Sequence, residues 1–272
     1  MNATEHYEPA SELELLVRYE GPVLHLTLNR IARRNALSRS LVSHLRQAID
    51  SATVHHTTRV IVIGGTGPSF CAGGDISQFA VEPDETTARA DARNLIDLYG
   101  AMAHCPLPIV ARAHGPIFGG GVGLVCAADI AVASDEARFS LSEARLGIVP
   151  GVVGPYVIAA LGSREAKARM LMAAPFDAAE ALRIGLVHRC VPLGELNAAV
   201  EAVVDDLLMC APGSLAIIKR IPDLVANTAP DAIDDATASL FAERMMSGEG
   251  REGLRAFLEK RPAAWVRKRD HQ

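Results

Sequence analysis

Val23, His25 and Thr27 alternate with Leu24, Leu26 and Leu28 after a Gly21-Pro22 turn, and the mixed run Leu13 to Glu20 precedes that turn. Period-two alternation beside a tight turn predicts a hairpin with one buried face. Ser38 is placed to cap a helix in which Leu41, Leu45 and Ile49 recur every fourth residue, with its end near His55. Further on, the chain predicts a strand at 60–63, an acidic loop at 82–85, a helix from Thr87 to Ala103 and a strand at 109–113. A helix opening at the triple glycine 119–121 and running to Ala127 comes next, then a strand from Ile130 to Ala133. Recurrence of strand, turn and helix argues for an α/β fold with helices covering the sheets. After Pro150 the strand signals thin, and helical patterns occupy 163–173, 178–184, 195–209, 213–226, 230–246 and 249–260. Asp177-Ala178-Ala179-Glu180 reads as a capping box at the start of one of them.

Composition narrows the function classes. With 272 residues, 49% hydrophobic and 22% charged, the chain reads as soluble, globular and long enough for a sizeable core. A formal net charge of -5 supplies no broad basic field, so nucleic acid is not an expected partner. Five scattered cysteines without paired or metal-ligand spacing fit reduced thiols in a cytoplasmic protein, and no metal site is expected. Met1 to Ser11 lacks the apolar segment of a signal peptide, and the longest apolar stretch, Phe118 to Ala128, is too short to span a bilayer.

The candidate chemistry lies in three short segments: Phe70-Cys71-Ala72-Gly73-Gly74-Asp75-Ile76, Phe118-Gly119-Gly120-Gly121-Val122-Gly123-Leu124 and Phe139-Ser140-Leu141-Ser142-Glu143. Each glycine turn follows a β-branched run, so each is expected to end a strand with backbone N–H groups exposed. Two such turns are the raw material of an oxyanion hole, and the second, at a helix start, adds the favourable end of the helix dipole. Glycines there also let a ligand approach the backbone closely. Glu143, at the end of the third segment, is the one carboxylate taken with the two turns as candidate chemistry.

These segments at this spacing resemble the crotonase (enoyl-CoA hydratase/isomerase) superfamily, from about Glu12 to Trp265. The resemblance implies a spiral of ββα repeats over 1–200, a helical region over 201–272 that serves oligomerisation, and a homotrimer or homohexamer. It implies an acyl-CoA thioester as substrate, with coenzyme A entering as part of it and no separate cofactor. By the same resemblance the thioester oxygen is held by the N–H groups of Ala72 and Gly120, and Glu143 is the acid/base. Gly73, Gly74, Asp75, Ile76, Gly119 and Gly121 line the substrate. Arg33 and Ala36 in the Asn29–Leu37 loop, and Phe257 and Lys260 near the C-terminus, correspond to contacts with CoA. Hydratases of the family commonly carry a second glutamate where this chain has Gly123. The Phe139–Pro150 segment and its Gly154-Pro155-Tyr156 sequel look like members that hydrate methylglutaconyl-type substrates. One carboxylate is compatible with hydration, with a double-bond shift, or, in a relative that has lost proton transfer, with acyl-CoA binding alone. Cys71, His114 and Asp129 are expected to be structural, and Tyr156 is within the range of residues that reach a substrate's polar group.

Overall fold

The computed structural model describes residues 13–79 and 84–266. The first twelve residues and the first half of the acidic loop 82–85 lie outside the described residues. β1 (Leu15–Glu20) and β2 (Val23–Leu28) form the expected antiparallel hairpin. The Ser38 hydroxyl accepts from the Leu41 N–H at 3.0 Å to start α1 (Arg39–Val54). Then come β3 (Val60–Gly65), the single turn α2 (Ile76–Phe79), α3 (Glu85–His104), β4 (Ile109–Ala113), β5 (Pro116–Phe118), α4 (Gly120–Ala127), β6 (Ile130–Ser134) and β7 (Arg138–Ser140). The remainder holds α5 (Gly154–Met172), β8 (Phe176–Asp177), α6 (Ala178–Arg183), β9 (Arg189–Val191), α7 (Leu196–Leu208), α8 (Pro212–Ile218), α9 (Ile221–Asn227), α10 (Ile233–Met246) and α11 (Gly248–Leu258).

Strands β1-β2-β3-β4-β6-β9 make one sheet, parallel from β2 onward, and β5-β7-β8 make a smaller one. The alternation within each strand decides which layer it faces. Leu24, Leu26, Leu28, Ile61, Ile63, Ile109, Ala111, Ala113, Ala131 and Ala133 point into the main core with α1, α3, α4 and α5. The intervening Val23, Val60, Val62, Val110 and Val132 face the opposite way and are covered by Leu196, Val200, Val203, Val204 and Leu208 of α7. A sheet buried on both faces needs apolar residues at every position, which is why β3 reads as an unbroken run rather than an alternating one.

Three features depart from the sequence pattern. β8 and β9 continue the two sheets beyond Pro150, but strands of two and three residues are too short to carry a period. The helix expected at 163–173 begins at Gly154, with a kink where Gly162 takes φ 73°, so glycine and proline hide its first half. The helix expected at 213–226 is two, broken between Ile218 and Ile221 just before Pro222.

Leu196 is fully buried at the start of the α7 layer. Its replacement by alanine is expected to destabilise the fold by about 2–5 kcal/mol. In urea unfolding this reads as a lower midpoint with an unchanged slope.

Candidate active site

Short parallel pairing laces the two glycine turns together. Cys71 bridges Ile117, with the Phe118 N–H donating to the Cys71 carbonyl at 3.0 Å, and Leu37 bridges Gly74 on the other side. This pairing accounts for most backbone donors of the first turn. Cys71 N–H goes to the Pro116 carbonyl, and Asp75 N–H goes to the Leu37 carbonyl at 3.0 Å. Ala72 N–H goes to the Arg34 carbonyl, also at 3.0 Å, so the donor expected there is spent inside the loop and is not offered to a ligand. Gly73 and Gly74 have no backbone acceptor among the described residues. In the bridge it is the flanking Gly73 carbonyl and Asp75 N–H that pair with Leu37, so the N–H of Gly74 itself points away from that strand.

The second turn meets it there. A Cβ built on Gly120 would stand 3.7 Å from the Gly74 nitrogen, and one built on Gly73 would stand 3.7 Å from the Gly120 nitrogen. Gly120 opens α4, so its N–H has no intrahelical acceptor. Gly119 takes φ 46° and ψ −113°, backbone that disfavours an L side chain, and its N–H is fixed to the Ser140 carbonyl at 2.9 Å. Gly121 rests on the first turn so closely that a Cβ would lie 2.3 Å from the Cys71 carbonyl oxygen.

Glu143 begins a short 3-10 turn (Glu143–Leu146) after β7. Its Oε1 lies 3.1 Å from where a Cβ on Gly119 would be, and its Oε2 is buried with no hydrogen-bond partner. Burial raises the Glu143 carboxyl above its ordinary value. At the position of the second carboxylate, Gly123 is walled in: a Cβ would meet Val153 Cγ1 at 2.6 Å and Tyr99 Cζ at 2.8 Å. The Tyr99 hydroxyl donates to the Gly120 carbonyl at 2.8 Å.

The structure thus brings the two glycine turns into contact, with a carboxylate whose Oε2 is unpartnered against one of them. Residues 18–268 match the family model described as enoyl-CoA hydratase/isomerase. The chain belongs to the enoyl-CoA hydratase/isomerase family. It is 34% identical over 249 residues to an enoyl-CoA hydratase of Alternaria alternata, covering 90% of this chain and 81% of that one. Among solved structures, an enoyl-CoA hydratase from Shewanella pealeana superposes with a TM-score of 0.88 at 32% identity, over 93% of this chain and 96% of that one. AtuE of Pseudomonas aeruginosa gives a TM-score of 0.88 at 35% identity, over 93% and 100%. The α/β architecture with its helical C-terminal part is thus that of the crotonase fold, and the protein is an enzyme of the hydratase/isomerase family.

The other residues singled out in the sequence are distributed unevenly about this centre. Asp75, beside Gly74, is held by Arg30, whose guanidinium also contacts the Ala36 carbonyl and Glu14. Burial pulls the Asp75 carboxyl upward, but Ser77 and Arg30 outweigh it and keep it below its ordinary value. Arg33 and Ile76 are exposed close to the first turn, while Phe257 is exposed in the last turn of α11, which packs on α10, and Lys260 is exposed just beyond that helix. His114 is locked between Arg112 and the Gly67 carbonyl, and Asp129 pairs with Lys219 at 2.6 Å. Burial pushes the Cys71 thiol up to about 12, so it is inert. Tyr156 packs against Tyr99 with its ring tilted by 55° and the ring centres 5.5 Å apart. Sequence reasoning missed Gly74 as the unspent donor and Tyr99 altogether. The signal for Tyr99 was the empty Cβ position of Gly123, which a close-packed interior must fill from a facing helix.

A carboxyl whose value is raised by folding binds its proton more tightly in the native state. The penalty for burying its charge is therefore absent below the ordinary value of 4.5 and destabilises the fold as pH rises from there through the raised one. Glu143→Gln is expected to unfold at a higher temperature than the parent at neutral pH, with the difference vanishing on acidification to that ordinary value. Thermal unfolding across the pH range checks it.

Proposed function

We propose that the enzyme adds water across the double bond of an enoyl-CoA thioester, with Glu143 as the only acid/base. The observation that carries this reading is the buried, unpartnered Glu143 oxygen beside two turns with unspent N–H groups. The Gly74 and Gly120 N–H groups receive the thioester oxygen, where charge develops as water adds at C3. Glu143 takes the proton from that water and returns it to C2. A single group serving both steps works from one face, so addition is syn. Arg33, with Arg34 and Ala36 in the same loop, meets the CoA phosphates, Gly73, Gly119, Gly121 and Ile76 line the acyl end, and Phe257 and Lys260 complete the CoA site.

A branched or glutaconyl-type acyl group suits this centre. A second glutamate would repel a carboxylate on the substrate, whereas burial holds the Tyr99 phenol in its neutral form. The exposed Phe241, Met245, Met246, Leu254, Phe257 and Leu258 on the C-terminal helices support assembly as a homotrimer or homohexamer. The lone carboxylate also favours a second reading, a double-bond isomerase in which Glu143 carries a proton from C2 to C4.

Incubation with 3-methylglutaconyl-, crotonyl- and 3-enoyl-CoA in deuterated water separates the two. Hydrated product with deuterium at C2 is expected, a shifted alkene selects the isomerase, and binding without turnover sinks both. Glu143→Gln is expected to lower turnover by roughly 10²–10⁴-fold.

A further inference from the structure

The triple glycine that presents the Gly120 N–H has no side chain with which to anchor itself, so its aim depends on contacts from outside. The Gly119 N–H is tied to Ser140, and Gly121 is pressed on Cys71. Between them, Leu37 Cδ1 packs against Gly120, and the side chain that hydrogen-bonds it among the described residues is Tyr99, whose hydroxyl donates to its carbonyl. That hydroxyl lies 3.0 Å from where a Gly120 Cβ would be, on the side where the Gly74 nitrogen also sits. The same ring closes over Gly123, with Cε1 3.0 Å and Cζ 2.8 Å from the missing Cβ, so the space that would admit a second carboxylate holds the ring that carries the anchor. Tyr99 is itself fully buried and braced by Tyr156, which leaves the hydroxyl little freedom to leave its acceptor.

We infer that Tyr99 is a positioning residue for the oxyanion hole, holding the Gly120 turn so that its N–H and that of Gly74 converge on one thioester oxygen. The inference rests on the hole assigned under the proposed function. Tyr99 touches neither substrate nor reacting atoms in this role. It acts through the backbone of Gly120, so its loss weakens stabilisation of the developing charge rather than binding of CoA.

The test uses the full chain and cinnamoyl-CoA, whose conjugated thioester absorbs further to the red when hydrogen bonds draw charge onto its oxygen. The parent is expected to shift the band on binding, and Tyr99→Phe, which keeps the ring, to shift it less. With the turned-over substrate the same variant is expected to lose roughly tenfold in kcat with KM within about twofold. No band shift in the parent would discard the oxyanion hole itself. A full parental shift and kcat in a folded Tyr99→Phe would overturn the role of Tyr99 while leaving the hole intact. If that variant lacks a cooperative unfolding transition, Gly123→Ala takes its place, since its methyl wedges the ring aside and leaves the hydroxyl present. The same loss of band shift is then expected, and an undiminished shift overturns the inference.

Discussion

The site depends on parallel backbone pairing between two loops that belong to different parts of the chain. Because Cys71 pairs with Ile117 and Leu37 with Gly74, the donors of the first turn are spent on either side. What remains is an N–H at Gly74 next to one that a helix start leaves free at Gly120. A backbone donor held this way needs no reorganisation when charge appears, which is where such groups gain their advantage over water. The Arg30 cluster reinforces the arrangement. It ties Glu14 on the approach to β1, the carbonyl of Ala36 and the carboxylate of Asp75 into one contact set, and Ser38 joins it by donating to Glu14 at 2.7 Å.

Glu143 follows a different logic. A buried oxygen with no partner is a cost to the fold, and the raised carboxyl value is the mark of it. Among the described residues, its neighbours are glycine backbone and a neutral phenol, with no cation that would pin the carboxylate in its charged form. Burial moves the carboxyl upward, the direction that the proposed proton transfer needs, so the feature that weakens the fold is the one on which that proposal draws.

Much of this was legible in the chain. The hairpin, the Ser38 cap, the β3 run and the two glycine turns each declare themselves locally, through alternation, a capping side chain or a glycine cluster. The edge strands β8 and β9 do not, because their pairing partners lie far away in sequence and their own length is below one useful period. Within the first turn, the identity of the available donor depended on whether the Arg34 carbonyl would turn toward Ala72, a question of loop closure that residue spacing does not encode. Tyr99 was invisible for the same reason: on its helix it is one more apolar position, and its meaning comes from facing Gly123.

That facing pair constrains how such a centre can change. The room beside Gly123 is already filled by Tyr99 and Val153, so a lone mutation to glutamate collides with both, while a lone reduction of the tyrosine leaves a hollow and an untethered loop. Either single replacement therefore disturbs the packing around the site. A second carboxylate at this place calls for concerted change in three elements, at Gly123 of α4, Tyr99 of α3 and Val153 before α5.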